Sequence, residues 1–111
     1  MVIFMDWQIK IQAEFDKAEQ ARARGNEGQA RVYARRAAGI AAREYFTRHG
    51  HSIQTPSAYD LLNSLMEDSS LPGELRQSVE YLTMRVNEDF KLPVDVDLIH
   101  EAKKLCKGLS I

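Results

Sequence analysis

Residues 4–48 decide the fold, and they read FMDWQIKIQAEFDKAEQARARGNEGQARVYARRAAGIAAREYFTR. Apolar and small residues recur at steps of three and four through both halves of this stretch, the period of an amphipathic α-helix. Gly25 separates the halves, and glycine favours a helix C-terminus because the left-handed conformation costs it nothing. We therefore predict helix 1 from Phe4 to Arg24 and helix 2 from a cap at Asn26 to Arg48, packed as an antiparallel hairpin.

The two inner faces of this hairpin follow from the same spacing. Gln29 lies three residues after Asn26, which predicts a capping-box variant at the start of helix 2. Gly39 costs about 1 kcal/mol inside a helix, so close packing against another element is its expected role, and Gly50 ends the helix. The predicted inner residues are Phe4, Trp7, Ile11, Phe15, Ala18 and Ala21 of helix 1 and Ala30, Tyr33, Ala37, Ile40 and Ala41 of helix 2.

Three further helices are predicted to cover the groove of the hairpin. Helix 3 begins with Thr55 as cap and Pro56 at its first position and ends at residues 68–70, and helix 4 has Pro72 near its start. Residues 87–93 are predicted to form a loop, after which Asp95 caps helix 5. The predicted buried residues are Ala58, Leu61, Leu62, Leu65, Met66, Leu75, Val79, Leu82, Met84 or Val86, Leu98, Ala102, Leu105, Cys106 and Leu109. The fold class is all-α, an up-and-down four-helix bundle with a short fifth helix, in a single domain over residues 1–111.

Length and composition set the class of protein. The chain of 111 residues fits one domain. No apolar run approaches the roughly 20 residues that span a bilayer, and residues 1–5 lack the basic region that precedes the apolar run of a signal peptide. The single cysteine, Cys106, cannot form an internal disulfide, which suits a reducing compartment. We expect a cytoplasmic protein without a membrane partner.

The net charge of −1 is unevenly distributed along the chain. Residues 1–55 hold nine Lys and Arg against six Asp and Glu, whereas residues 56–111 hold six against ten. This division argues against a surface that wraps nucleic acid as a whole, but it permits a local basic face on the first half. Alternatively, the two halves attract one another within the bundle or within a dimer.

The first candidate site is a set of arginines on helix 2. At about 100° per residue, they fall on the arc opposite the inner face. Arginine binds phosphate oxygens through a planar fork of donors, so this face is a candidate for nucleotide or RNA phosphates. The alternative is a solvated face or a contact with the acidic helices 4 and 5. The candidate residues are Arg31, Arg35, Arg36 and Arg43.

The second candidate is a polar cluster at the end of helix 2. Glu44 projects toward the inner face, and Arg48 follows four residues later in the order that favours a helical ion pair. His49 and His51 come next, and histidine titrates near neutral pH, which suits acid–base chemistry. The alternative is a structural cluster in which cations meet the negative end of the helix dipole.

Neither a metal nor a cofactor is expected. His49 and His51 could be two metal ligands, with Asp60 or Cys106 as a third, but neither of these lies at a diagnostic spacing. Cys106 lies on the inner face of helix 5, where it reads as a small core residue. The chain has no Gly-rich phosphate loop, no nucleophile elbow and no zinc-ribbon pattern.

With the helices placed, the chain resembles the HEPN family (higher eukaryote and prokaryote nucleotide-binding domain). The resemblance rests on the long first helix, the turn GNEGQAR at 25–31, the small-residue run ARRAAGIAA at 34–42, and AYDLL at 58–62. It implies a four- or five-helix bundle that is usually dimeric. Family members are metal-independent ribonucleases of toxin and defence systems, or non-catalytic partners of small nucleotidyltransferases.

The resemblance also implies candidate catalytic residues. Catalytic members carry an arginine and, a few residues later, a histidine, and Arg43 and His49 fit this spacing with five residues between them. The pattern departs from the family because it ends helix 2 instead of falling later, and because Glu44 replaces the usual Asn, Asp or His. Arg85 lies in the later region but has no histidine at the right distance.

These observations lead to three hypotheses. The first is a non-catalytic HEPN-like bundle that forms a homodimer or binds a protein such as a small nucleotidyltransferase, with its arginine face toward nucleotide or RNA phosphates. The second is a HEPN ribonuclease that uses Arg43 and His49. The third is a structural helical module without a ligand, in which Glu44 and Arg48 serve only folding.

Overall fold

The α1–α2 hairpin forms the frame on which the other helices pack. The structure, a computed structural model, describes residues 5–85, 92 and 94–109. Within those residues the chain forms five α-helices and no strand, so the all-α prediction is confirmed. The helices are α1 (Asp6–Ala23), α2 (Glu27–Arg48), α3 (Ala58–Met66), α4 (Gly73–Thr83) and α5 (Leu98–Gly108). The fifth helix is short, with 11 residues, but α4 has the same length and α3 has only 9, so three of the five helices are short.

Both long helices begin and end close to the predicted residues. Gly25 and Gly50 adopt the left-handed conformation, each with a φ of 79°. The Asn26 side chain accepts a hydrogen bond from the Gln29 backbone N–H at 3.0 Å, which confirms the cap. The reciprocal half of the capping box is absent, because the Asn26 N–H donates instead to the Ala21 carbonyl. Phe4, the predicted start of helix 1, lies outside the described residues.

Helix α2 is the central element of the bundle. It packs against α1, α3 and α5, while α4 packs against α3 and α5. Gly39 allows the close approach to α3, because a Cβ at this position would lie 2.8 Å from the Cβ of Ala58. In the core, α2 contributes mainly alanines, whereas most of the larger apolar residues come from the other helices. Its fully enclosed side chains include Ala30, Ala34, Ala37, Ala38, Ala41, Ala42, Leu61, Leu62, Leu65, Val79, Leu82, Leu98, Ala102 and Leu105.

Two predicted N-caps are wrong by two residues. Ser57 caps α3 by accepting a hydrogen bond from the Asp60 N–H. Thr55 lies outside the helix, where its hydroxyl accepts from the Ser57 N–H and donates to the Asp60 carboxylate. Thr55 and Ser57 each accept a hydrogen bond from a backbone N–H. Ser57 is the N-cap, because it lies three residues before the donor Asp60.

Asp97, and not Asp95, caps α5. Its carboxylate accepts from the N–H groups of Ile99 and His100. It also accepts a hydrogen bond from the Arg22 guanidinium at 2.9 Å, and this hydrogen bond lowers the pKa of Asp97. The ion pair joins the end of α1 to the start of α5, and this contact favours Asp97 as the N-cap of α5. Val86 and residues 87–93, the predicted loop, lie outside the described residues except for Leu92.

Candidate phosphate-binding site

Three arginines from two distant parts of the chain line one cavity. Arg31 and Arg35 lie one turn apart on α2, and Arg85 follows the end of α4. The cavity has a volume of about 400 Å³, and its other lining residues are Gly28, Val32 and Tyr59. No Asp or Glu is among these residues. The cavity is therefore positively charged within the described part of the chain.

Arg35 is fixed in place by the end of α4. Its Nε donates to the carbonyl of Leu82 at 2.6 Å, one of the last four carbonyls of α4, which lack partners within the helix. Burial lowers the pKa of the Arg35 guanidinium, and the charges of Arg31 and Arg85 lower it further, while the Tyr59 side chain acts in the opposite direction. Arginine nevertheless stays protonated at any working pH, so the repulsion among the three guanidinium groups persists.

The ring of Tyr59 lies beside two of these cations. The guanidinium carbon of Arg35 is 4.5 Å from the ring centroid, and that of Arg85 is 5.1 Å from it. Both distances are within the range of a cation–π interaction. The ring thus holds Arg35 and Arg85 at one site despite their like charges.

Arg31 has unsatisfied donors. Its Nε and Nη1 are shielded from solvent and have no hydrogen-bond partner. Among the described residues, no carboxylate forms an ion pair with Arg31, Arg35 or Arg85. Buried guanidinium donors without acceptors are unfavourable, and an anion in the cavity would supply acceptors.

The other two predicted phosphate-binding residues, Arg36 and Arg43, lie on a second side of α2. They line a cavity of about 220 Å³, and the acidic residue Glu14 lines the same cavity. Arg36 is exposed and lies 5.6 Å from the ring of Tyr33. Arg43 donates to the carbonyl of Thr55. The predicted arginine face is thus two faces with different surroundings.

The predicted helical ion pair of Glu44 and Arg48 is present. The Arg48 Nε lies 3.2 Å from the Glu44 Oε1, and the Arg48 guanidinium lies 5.1 Å from the ring of Trp7. The Glu44 side chain keeps 23% of its surface exposed, so it lies at the edge of the core. These contacts join the end of α2 to the start of α1.

His49 and His51 line a cavity of about 650 Å³ at the C-terminal end of α2. Tyr45 donates from its hydroxyl to the Asp68 carboxylate at 2.6 Å. This hydrogen bond and those from Ser70 lower the pKa of Asp68 to about 2. His49 Nδ1 lies 2.7 Å from the Tyr45 carbonyl, which only accepts, so the neutral ring carries its proton on Nδ1 and its lone pair on Nε2.

Arg43 and His49, the candidate catalytic residues, line different cavities. Arg43 faces Thr55 and Glu14, whereas His49 faces the cavity of Asp68. In the described part of the chain, no group of three His, Cys, Asp or Glu residues is arranged to hold a metal ion. Burial raises the pKa of the Cys106 thiol to about 12, so this cysteine is held as a neutral thiol.

Sequence reasoning missed Tyr59 and Arg85 as members of the arginine site. Tyr59 reaches the cavity because α3 packs against α2, and Arg85 reaches it because the end of α4 lies beside α2. The only local signal was that Arg31 and Arg35 occupy neighbouring positions on one helix face.

Over the described residues, the fold and the site together define an all-α arrangement of five helices with an arginine-lined cavity. Comparison with models of protein families, with curated proteins and with solved structures finds no match to this chain. No helix of the described residues is both long and apolar enough to cross a membrane.

Proposed function

We propose that this protein is a non-catalytic, HEPN-like helical module that binds the phosphate groups of a nucleotide or of RNA through Arg31, Arg35 and Arg85. We further propose that it works as a homodimer or with a protein partner such as a small nucleotidyltransferase. The observation that carries the proposal is the convergence of three guanidinium groups on one cavity that contains no described carboxylate. The all-α hairpin architecture is consistent with a HEPN-like bundle.

The arginines are available for a ligand because acidic residues do not neutralise them. Among the described residues, the ion pairs between elements join Arg22 to Glu27 and to Asp97, Lys103 to Glu19 and Lys104 to Glu74. Within the described residues, none of these pairs includes an arginine of α2. The alternative that the α2 arginines serve to bind the acidic helices α4 and α5 therefore lacks support from ion pairs.

Exposed apolar residues in the first turns of α1 and at its N-cap support association with a second chain. Met5 and Ile9 expose 60% and 57% of their surface, and Ile9 lines a shallow cavity with Gln8, Gln12 and Ala13. Large exposed apolar side chains are common at protein interfaces. Light scattering of the purified protein tests the dimer, and Ile9→Glu should shift a dimer toward the monomer.

Calorimetric titration with nucleotides and with a short RNA tests phosphate binding. We expect binding that weakens as the salt concentration rises, because the contacts are ionic. Arg31→Ala should weaken it by about tenfold or more, the effect of losing a charge-assisted hydrogen bond. The matched control is Arg24→Ala, which removes an exposed arginine from the α1–α2 turn and should leave affinity unchanged. Equal losses in both variants would contradict the site.

The second candidate function is a metal-independent ribonuclease that uses Arg43 and His49. One observation favours it: the hydrogen bond from Nδ1 of His49 to the Tyr45 carbonyl places the lone pair of the neutral ring on Nε2, and His49 lines a cavity of about 650 Å³. In this mechanism the histidine assists proton transfer while an arginine stabilises phosphate charge. RNA cleavage that disappears in His49→Ala would support this candidate, and cleavage that persists would eliminate the assignment.

A further inference from the structure

We infer that the cavity of Arg31, Arg35 and Arg85 selects a terminal phosphate, the doubly charged monoester, over the internal phosphodiesters of a nucleic-acid chain. The inference rests on the proposed function and names the chemical class of its ligand. Two sources supply this group: a free nucleoside 5′-monophosphate and the 5′-phosphorylated end of an RNA.

The first argument is the amount of positive charge. Three guanidinium groups share one cavity of about 400 Å³, and they are close enough for Arg31 and Arg85 to perturb the titration of Arg35. Each cation interacts with a dianion twice as strongly as with a monoanion at the same distance. A phosphodiester carries a single negative charge, so it relieves less of the repulsion among the three arginines.

The second argument is the number of donors. Arg35 uses its Nε for the Leu82 carbonyl, which fixes the guanidinium, while its terminal nitrogens have no hydrogen-bond partner among the described residues. Arg31 contributes Nε and Nη1, for which the described residues offer no acceptor, and Arg85 approaches from the end of α4. A terminal phosphate offers three free oxygens to these three side chains, whereas an internal phosphate offers two.

The position of the cavity adds to the same preference. Gly28, in the first turn of α2, lines the cavity. The positive end of the α2 dipole therefore lies at its edge, where anions are stabilised. Glu27 of the same turn is engaged by Arg22 through a short ion pair, so its charge is partly compensated.

The experiment compares two synthetic RNA hexamers of one sequence, one with a 5′-phosphate and one with a 5′-hydroxyl, by fluorescence anisotropy. We expect the phosphorylated hexamer to bind about tenfold more tightly, the effect of one added charge-assisted hydrogen bond. Equal affinities would overturn the terminal-phosphate inference and leave phosphate binding in place. If neither hexamer nor a nucleoside 5′-monophosphate bound, the proposed function itself would fail.

Variants assign the preference to the cavity. Arg31→Ala and Arg85→Ala should each reduce the tenfold preference to about twofold or less, whereas the control Arg24→Ala should retain it. Circular dichroism melting checks that each variant folds. Retention of the full preference in both Arg31→Ala and Arg85→Ala would overturn the assignment to this cavity.

The pH dependence tests the charge argument independently. A phosphate monoester takes its second charge near a pKa of about 6. Among the described residues, the titratable groups that face the cavity are Arg31 and Arg35 from α2, Tyr59 from α3 and Arg85 from the end of α4. Arginine and tyrosine are not residue types that ordinarily titrate between pH 5 and pH 7.5. The preference should therefore be small at pH 5 and full at pH 7.5. A preference of equal size at both values would overturn the charge argument.

Competition distinguishes the two sources. A nucleoside 5′-monophosphate that displaces the phosphorylated hexamer at equal affinity identifies the free nucleotide as a sufficient ligand. A hexamer that binds tenfold more tightly than the monophosphate identifies the RNA end. Both results support the terminal-phosphate inference, while displacement by the unphosphorylated nucleoside at the same concentration would overturn it.

Discussion

Helix α2 carries two pairs of arginines in opposite situations. Arg31 and Arg35 share their cavity with a third arginine and with no described carboxylate. Arg36 and Arg43 share theirs with Glu14, and Arg43 already donates to a backbone carbonyl. The residue type and the helix are the same in both pairs. The comparison teaches that the neighbours from other elements, and not the arginines themselves, decide which pair is left to bind an anion.

The largest expected effect separates the two arginine cavities directly. The double variant Arg31→Ala with Arg85→Ala should weaken binding of a nucleoside monophosphate by about 100-fold, since two charge-assisted contacts are lost. The double variant Arg36→Ala with Arg43→Ala should change it by about threefold at most, because solvent and salt screen distant exposed charges. Calorimetry measures the affinity of both double variants. Similar losses of affinity would contradict the assignment of phosphate binding to the cavity of Arg31 and Arg85.

A carboxylate introduced into the cavity of Arg31, Arg35 and Arg85 (the first cavity) should make it resemble the cavity of Arg36 and Arg43 (the second cavity). Val32 lines the cavity and exposes 39% of its surface, so Val32→Glu should place a negative charge near Arg31 and Arg35 without burying it. We expect phosphate affinity to fall by about tenfold while the melting temperature stays the same or rises, because the repulsion is relieved. The matched control is Val94→Glu, since Val94 is 38% exposed and does not line the cavity. Equal losses of phosphate affinity in Val32→Glu and Val94→Glu would mean that the net charge of the protein, and not a carboxylate in the cavity, weakens binding.

The contact between α2 and α3 determines where the Tyr59 ring lies. Gly39→Ala would place a Cβ at 2.8 Å from the Cβ and 3.0 Å from the Cα of Ala58, the residue before Tyr59. Because a backbone must move to relieve this overlap, we expect a loss of about 1–3 kcal/mol in the free energy of unfolding, measured by chemical denaturation. Gly73→Ala is the control, since its Cβ would meet nothing within 4 Å. A neutral Gly39→Ala would contradict the close packing of α3.

The sequence was sufficient for the parts of the fold that local spacing controls. Gly25, Asn26 and Gly39 each carry a local signal, and the structure confirms the turn, the cap and the close contact that they predict. The cap of α5 could not be chosen between Asp95 and Asp97 by spacing alone. Arg22 of a distant helix binds Asp97, and such a contact is invisible in a local pattern.

The candidate site was predictable only in part for the same reason. The position of Arg31 and Arg35 on one face follows from helix geometry, so the pair could be found from the sequence. Arg36 was grouped with them, although Glu14 from α1 gives its cavity a different charge. Tyr59 and Arg85 enter the first cavity through the docking of other elements. The division of α2 into two arginine faces is therefore a tertiary property.

A smaller effect is expected from the ring that separates two cations in the first cavity. Tyr59→Leu should weaken phosphate binding by about two- to fivefold, because Arg35 and Arg85 lose cation–π contacts of about 0.5–1 kcal/mol. Tyr59→Phe keeps the ring and should retain affinity. Calorimetry distinguishes the two variants. An equal loss in both would instead assign the effect to the Tyr59 hydroxyl, against the cation–π account.

The smallest effect concerns Glu14, whose removal should make the second cavity resemble the first. Its Oε2 is shielded from solvent without a hydrogen-bond partner, and its Oε1 lies 3.9 Å from the Lys17 ammonium. Glu14→Gln removes the negative charge beside Arg36 and Arg43. In the background Arg31→Ala with Arg85→Ala, we expect a gain of about two- to fivefold in weak binding of inorganic phosphate, the size of a partly screened charge contact.

This gain is measured by NMR titration, in which the amide of Ile40, another residue lining the second cavity, should shift with added phosphate. Glu19→Gln is the matched control, because Glu19 is an exposed carboxylate of the same helix that pairs with Lys103. It changes the net charge by the same amount at a different place. If both variants gained equally, long-range charge would explain the effect, and the carboxylate would not be what keeps Arg36 and Arg43 from binding anions.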